Sequence, residues 1–222
     1  MSLSRRLALL KWANSANAWI VEDDYDSEFR YGTRPFPCLH GLDSDGRVIY
    51  VGTFAKSMFP ALRLGFVIVP TDLQDKFRSA RRASEIHPPL LEQMALTEFI
   101  ADGHYARHVR RMRAVYRERV EALADAVERY CAGVVRLRTV QTGLHAVAEL
   151  SGVDEDRVCE EARERRIELA PLGRYFVGRP TMEGLVLGFA STPVDMIRRG
   201  VEKLAASVED ARPLTTRRQH RA

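Results

Sequence analysis

The sequence is poor in lysine. Only four of its 34 basic residues are lysines, and the others are arginines. A chain that avoids lysine so strongly nevertheless places Lys56 between Ala55 and Ser57, shortly after the apolar run "VIYVG". Arginine cannot replace lysine as an amine nucleophile. The lysine retained at this position therefore suggests a chemical task.

The chain also lacks long hydrophobic runs and has few cysteines. No apolar stretch approaches the ~20 residues needed to cross a bilayer. The lysine within "LALLKWA" argues against a signal peptide near the N-terminus. Its 3 cysteines are widely spaced and show no metal-ligand pattern. They predict reduced thiols in a cytoplasmic protein with no metal site and no membrane partner.

Positive charge is in slight excess, with a formal net charge of +4 at pH 7. Nucleic-acid binding is one interpretation of this excess. The arginines are dispersed among glutamates, however, as in "EDRVCEEARERRIE", which indicates solvated helix faces. Nucleic-acid binding stays the weaker alternative, and it predicts a DNA affinity that depends strongly on salt.

The hydrophobic pattern predicts an α/β fold in the first half of the chain. A helix is expected over residues 3–16, with Leu3, Leu7, Leu10 and Ala13 on one apolar face. Continuous apolar runs predict three buried strands in a sheet covered on both faces, at 18–23, 47–52 and 64–70. Further helices are expected at 71–84, 88–104 and 104–131.

Beyond the long helix, short apolar runs alternate with two helices, at 153–166 and 193–208. This pattern predicts a small α+β unit. We therefore expect a partial large domain over residues 1–108 and a small C-terminal domain over 109–211. Residues 212–222 have no apolar periodicity and are expected to form a disordered tail.

Polar side chains lie where the predicted strands end. Asp23 ends the first strand, and Tyr25 follows on the same side of an extended chain. Thr53, Lys56 and Arg63 lie between the second and third strands. Ligands of open α/β sheets bind beyond the carboxyl ends of the strands. The five residues therefore form one candidate site.

This combination of side chains suits pyridoxal 5′-phosphate. The cofactor's aldehyde condenses with a lysine amine. A carboxylate keeps its pyridine nitrogen protonated, so that the ring can act as an electron sink. A phenol can donate a hydrogen bond to the 3′-oxygen, and a guanidinium with a hydroxyl suits the phosphate. Taken singly, each residue also has an ordinary structural interpretation, such as a solvated turn or a surface ion pair.

Several stretches closely resemble the aminotransferase-like domain of the MocR/GabR family. They include "WIVEDDYDSEFRY", "RVIYVGTFAKSMFPALRLGFVIVP" and "GLVLGFAS". Members of this family are bacterial transcriptional regulators that join a winged helix-turn-helix to a fold-type I, pyridoxal-phosphate-dependent domain. The resemblance covers nearly all of residues 1–208. It implies the second half of a fold-type I large domain, with a mostly parallel sheet, followed by a small α+β domain.

The resemblance implies a role for each residue of the candidate site. Lys56 is similar to the lysine that forms the internal aldimine. Asp23 resembles the partner of the pyridine nitrogen, and Tyr25 the residue that hydrogen-bonds the 3′-oxygen. Arg63 and Thr53 resemble phosphate ligands.

Three further positions are compared with the family in the same way. Arg174, in "PLGRYFVG", resembles the arginine that binds the carboxylate of an amino-acid or amine effector or substrate; a surface arginine is the alternative. His145 matches a family position at which we expect a packing role. Ala55 departs from the family, in which serine is common before the lysine, so one hydroxyl contact to the phosphate is absent.

Set against the family, the chain is expected to be a fragment. The winged helix is absent, and so is the first half of the large domain, which supplies the aromatic residue that stacks on the cofactor. DNA binding by this chain alone is therefore not expected, and the full-length form is expected to be a homodimer. The ligand would be transaminated or would act as a regulatory switch. The alternative is a non-catalytic remnant that acts only through dimerisation.

Overall fold

The chain folds into two compact units, Met1–Arg110 and Arg111–Ala222. The computed structural model describes residues 1–32, 37–84 and 89–212. The tail expected over 212–222 lies, apart from Arg212, outside the described residues.

The first unit contains a three-stranded sheet in the order β1 (Ile20–Asp24), β2 (Val48–Thr53) and β3 (Gly65–Ile68). β1 and β2 are parallel, whereas β3 runs antiparallel to β2. The helices of this unit are α1 (Leu3–Ser15), α2 (Leu39–Leu42), α3 (Gln74–Ser84), α4 (Leu90–Ala101) and the first turns of α5 (His104–Cys131).

One face of this sheet is open among the described residues, contrary to the expectation that both faces would be covered. Strand pairing places Val21, Val51 and Val67 on this face. Val21 is 65% exposed and Val67 is 45% exposed. The continuous apolar runs predicted a sheet covered on both faces, but the described residues leave one of these faces uncovered.

Aromatic contacts hold the unit together elsewhere. The ring of Tyr50 lies between those of His40 and Phe66, with centroid distances of 5.9 and 6.0 Å. At the amino ends of β1 and β2, the guanidinium of Arg47 lies over the indole of Trp19, 5.3 Å from its centroid. The two contacts of Tyr50 attach α2 and β3 to the central strand, β2.

The first helix is present as predicted, but its apolar face is only partly buried. Ser2 caps α1 by accepting a hydrogen bond from the Arg5 amide. Ala13 is fully buried, whereas Leu3 and Leu7 are exposed. The described residues therefore cover the C-terminal part of the expected face and leave its beginning open.

The second unit contains a four-stranded antiparallel sheet. Its strands are β4 (Val135–Leu137), β5 (His145–Leu150), β6 (Ala170–Pro171) and β7 (Gly184–Gly188), in the order β4-β5-β7-β6. Helices α6 (Glu155–Glu164) and α7 (Val194–Ala211) pack against each other.

The core of the second unit lies on one face of this sheet. Strand pairing puts Ala146 beside Leu187 and Ala148 beside Leu185, and all four side chains are buried. The helices complete the core with Leu123, Val127, Val158, Val201 and Leu204. Burying each of these larger aliphatic side chains contributes about 1.5–3 kcal/mol.

Helix α5 has the limits that its periodicity predicts. It begins after Gly103, whose φ of 72° marks the end of the preceding helix. It runs for 28 residues, across the boundary between the two units. The predicted long amphipathic helix is confirmed.

The three cysteines, Cys38, Cys131 and Cys159, are free thiols. Within the described ranges, no helix is both long and apolar enough to cross a membrane. The same residues include no group of His, Cys, Asp and Glu side chains that could hold a metal ion.

Candidate cofactor site

The parallel pairing of β1 and β2 brings their carboxyl ends to one edge of the sheet. Asp23 pairs with Val51, and Thr53 pairs with Gly65 at the start of β3. Because paired residues share a face, Asp23 and Thr53 lie on the same, open face. Lys56 and Arg63 follow in the connection between β2 and β3 at this edge.

Three consecutive acids at the end of β1 have different surroundings. On one face, the carboxylate of Glu22 accepts hydrogen bonds from the amides of Leu39 and His40, at 2.8 and 2.9 Å. On the same face, Asp24 accepts from the hydroxyls of Ser27 and Tyr50, at 2.6 and 2.8 Å. Burial and the Asp24 carboxylate raise the pKa of the Tyr50 phenol.

Asp23 lies between these two acids on the opposite face. Its side chain is exposed and makes no hydrogen bond or ion pair with any described residue. The strand therefore commits Glu22 and Asp24 to structural contacts and leaves the Asp23 carboxylate available to a ligand. Tyr25, which follows the strand, is 46% exposed.

Lys56 lies in a single helical turn directly after β2. The Thr53 hydroxyl accepts from the Ala55 amide at 3.1 Å, and the Met58 amide donates to the Phe54 carbonyl at 2.8 Å. We call residues 54–58 the lysine turn. Lys56 is its exposed residue and makes no hydrogen bond or ion pair with the part of the chain that the structure describes.

Arg63 has a strained backbone. It ends the 3₁₀ turn Pro60–Leu62 in the left-handed region, with φ 52° and ψ 26°. This region disfavours a residue with a Cβ by about 1–2 kcal/mol. Its guanidinium is exposed, and among described residues it has no hydrogen-bond or ion-pair partner. Strain of this kind is concentrated at functional sites.

Arg174 belongs to the second unit. It lies in the 3₁₀ turn Leu172–Tyr175, and its side chain is exposed. The buried carboxylate of Glu155 accepts from the amides of Gly173 and Gly184, both at 2.7 Å. Glu155 therefore holds the turn that carries Arg174 against the start of β7.

His145 is exposed at the start of β5, on the face opposite the core. Its ring lies beside Gly188, its partner in β7. Its ring therefore lies on the sheet outside the core, and the packing role expected from the sequence stays a prediction.

A partly buried polar cluster beneath the lysine turn was not predicted from the sequence. Ser57 is 1% exposed. It is hydrogen-bonded to Tyr105 and His108 of α5, which lie 48 and 51 residues further along the chain. Glu28 lies next to Tyr105, and burial raises the pKa of its carboxyl. The apolar spacing of α5 gives no signal for these polar contacts.

The side chains at this edge fit pyridoxal 5′-phosphate by their chemistry. The site offers an uncommitted amine, carboxylate and guanidinium, together with a hydroxyl whose proton is still available after it accepts from Ala55. Among the described strand residues, none that shares the face of Asp23 carries an aromatic ring; these residues are Val21, Ile49, Val51, Thr53, Gly65 and Val67.

Comparison with known proteins defines the class. The model of the family "Aminotransferase class I and II" matches residues 2–204. The multiple substrate aminotransferase of Thermococcus profundus superposes with a TM-score of 0.85 at 30% identity, over 95% of this chain and 53% of that one. LysN, the α-aminoadipate aminotransferase of Thermus thermophilus, was solved with N-(5′-phosphopyridoxyl)-L-leucine; it gives a TM-score of 0.84 at 28% identity, over 95% and 55%.

The chain belongs to the aminotransferase class I and II family. Among curated relatives, the probable rhizopine catabolism regulatory protein MocR of Rhizobium meliloti is 40% identical over 208 residues, which are 93% of this chain and 42% of MocR. The predicted fold-type I architecture and the resemblance to MocR-type regulators are thus confirmed. Pyridoxal 5′-phosphate is the cofactor that the family and the LysN complex indicate. The chain spans about half the length of the relatives it matches.

Proposed function

We propose that the chain is the pyridoxal-phosphate-binding part of an aminotransferase-like domain of the MocR type, which takes an amino-acid or amine ligand. The observation that carries this proposal is the separation of the three acids at the end of β1. Glu22 and Asp24 are used by the fold, while Asp23 stays available at the edge that also bears Lys56 and Arg63.

Each residue would have a distinct task. Lys56 supplies the amine that attaches the cofactor covalently, and it can take up and return a proton at its Nζ. Asp23 holds a proton at the pyridine nitrogen, and Tyr25 donates a hydrogen bond to the 3′-oxygen. Arg63 and Thr53 bind the phosphate by a charged fork and a hydroxyl. The bound cofactor supplies an electron sink.

Recognition of the ligand would fall to Arg174. A guanidinium binds a carboxylate through two parallel hydrogen bonds. Glu155 fixes the turn that carries this guanidinium, through the amide of Gly173. An amino acid, which has both an amine and a carboxylate, therefore suits the proposal. In a regulator, different affinities for the ligand-bound and free forms would shift a conformational equilibrium.

Cofactor affinity of the chain by itself is expected to be low. No ring stands on the face of Asp23 among the strands of the first unit. A missing aromatic contact costs on the order of 1–3 kcal/mol, or roughly five- to a hundred-fold in affinity. The absence of a ring on this face of the described strands favours the second candidate function, a remnant that acts through dimerisation alone.

Covalent trapping tests the proposal. The chain is incubated with excess pyridoxal phosphate and reduced with borohydride, and the labelled peptides are mapped. We expect label at Lys56 in preference to Lys11, Lys76 and Lys203, and its loss in Lys56→Arg, which keeps the charge but not the nucleophile. Equal labelling of all four lysines would contradict a built site.

A further inference from the structure

The residue that follows Lys56 is held on two sides by one helix. The Ser57 hydroxyl lies 2.9 Å from the Tyr105 hydroxyl, and the Ser57 carbonyl lies 2.9 Å from Nε2 of His108. A carbonyl can only accept, so His108 donates through Nε2. Tyr105 and His108 are three residues apart in the first turns of α5, and therefore share a face of that helix.

Tyr105 contacts both ends of the lysine turn. Its ring meets the ring of Phe54 edge-on, with centroids 5.7 Å apart and planes at 76°. Its hydroxyl reaches Ser57 at the other end and lies 3.4 Å from Oε1 of Glu28. A hydroxyl has one proton to give. Tyr105 donates to Ser57 over the shorter distance, and its hydroxyl also lies beside Glu28, so it links the lysine turn to Glu28.

The lysine turn needs such support. A single helical turn is unstable in isolation, because its nucleation costs more than one hydrogen bond returns. Within the turn, Ser57 is buried, while Lys56 is exposed. The contacts on Phe54 and Ser57 therefore fix the residues on both sides of the lysine and leave its own side chain outside.

We propose that Tyr105 and His108 are positioning residues for Lys56, which hold the lysine turn in the conformation that presents its amine. This inference rests on the proposed function for the role of Lys56, but the clamp itself is a property of the protein without cofactor. It adds to the site two residues from a helix remote in sequence.

Hydrogen exchange in the absence of cofactor tests the clamp. The reporter is the Met58 amide, which closes the turn onto Phe54. Tyr105→Phe keeps the ring and removes the hydroxyl, while His108→Leu removes the donor and His108→Gln restores one. Loss of one hydrogen bond of ordinary strength should speed exchange at residues 54–58 by about three- to tenfold. His108→Gln should return most of the protection.

Trapping with pyridoxal phosphate and borohydride is the second readout. In Tyr105→Phe and His108→Leu, label at Lys56 should fall relative to label at Lys76, an exposed lysine of the same unit. Tyr116→Phe, which removes a tyrosine hydroxyl further along α5, is the matched control and should change neither readout. Two variants keep the test decisive if one of them fails to fold.

The outcomes separate the two proposals. Unchanged exchange at residues 54–58 in both variants would overturn the clamp. Faster exchange with an unchanged ratio of Lys56 to Lys76 label would show a clamp that does not position Lys56, and would also overturn the inference. Absence of preferred Lys56 label in the wild-type chain would overturn the proposed function, and with it the positioning role, even where exchange still reveals the clamp.

Discussion

Adjacent residues of the same chemical type can serve opposite purposes when they lie on a strand. Glu22, Asp23 and Asp24 all carry a carboxylate, yet successive side chains point to opposite faces of a strand. The fold takes the first and third acids for hydrogen bonds to α2, Ser27 and Tyr50. The middle one is left on the open face, where a ligand can use its charge.

Exchanging each of two neighbouring acids for its amide should separate stability from binding. Asp23→Asn should weaken pyridoxal-phosphate binding and leave stability within about 0.5 kcal/mol, because the side chain is exposed and has no described partner. Asp24→Asn should lower the free energy of unfolding by about 1–2 kcal/mol, because it weakens charge-assisted hydrogen bonds from Ser27 and Tyr50. Urea unfolding and cofactor titration measure the two effects.

The two variants control for each other, because each removes one negative charge and the two positions are adjacent in the chain. If both lost cofactor affinity equally without loss of stability, general electrostatics would explain the effect. The specific role of Asp23 would then be wrong.

Strain at Arg63 supports the same view of the site. A glycine would adopt this left-handed backbone without steric strain, yet the residue at this position is an arginine. No described contact of its guanidinium compensates for this conformation. An exposed, strained arginine at the edge that bears Asp23 and Lys56 is consistent with retention for ligand binding.

At the scale of elements, the sequence predicted helices and strands well, because the hydrophobic period and the length of each run indicate the same type of element. Helix α5 was expected at residues 104–131 and has these limits. The apolar run of 64–70 produced β3 within its bounds. For α5 the hydrophobic period locates the element. For β3 the apolar run alone locates the strand, although all four of its residues are exposed among the described residues.

The sequence could not predict which surfaces these elements would bury. The antiparallel direction of β3 depends on its pairing with β2. The open face of the sheet depends on what packs on it, which no period encodes. The contacts of Ser57 with Tyr105 and His108 join residues about fifty positions apart. By contrast, Asp23 and Lys56 could be proposed as ligand-binding residues from the sequence, because they lie at strand ends, which a local pattern reveals.

A buried carboxylate supports the turn that carries Arg174. Glu155 accepts from two backbone amides, so Glu155→Gln would place an amide NH₂ against one of these donors. We expect a loss of about 1–3 kcal/mol in the free energy of unfolding. Equilibrium unfolding in urea measures this loss.

Glu160→Gln, at an exposed position of the same helix, is the control and should lie within about 0.5 kcal/mol of the wild type. Equal stability of both variants would mean that Glu155 does not secure the turn. Glu155 also lies so close to position 173 that a Cβ there would be 2.5 Å from its Oε1, so the turn requires glycine at this position.

At the scale of the whole molecule, the thiols distinguish the two units. Cys38 in the first unit is partly exposed, while Cys131 and Cys159 in the second are buried. Burial raises the pKa of Cys131 to about 11 and also raises that of Cys159. Since the thiolate is the reactive form, both should resist alkylation near neutral pH.

Pulsed alkylation along a urea gradient should therefore label Cys38 first. Label at Cys131 and Cys159 should appear together, when the second unit opens. Mass spectrometry of the peptides gives the midpoint for each thiol. Rapid labelling of Cys131 or Cys159 without denaturant would contradict the buried core of that unit.

The stacking of Arg47 on Trp19 has an optical consequence. Both tryptophans of the chain, Trp12 and Trp19, lie in the first unit. Trp12 is largely exposed, so a change in tryptophan emission on unfolding should come mainly from Trp19, as it loses the guanidinium that lies over its ring. An unfolding curve recorded by tryptophan fluorescence should therefore report on the unit that contains Lys56, because the second unit has no tryptophan.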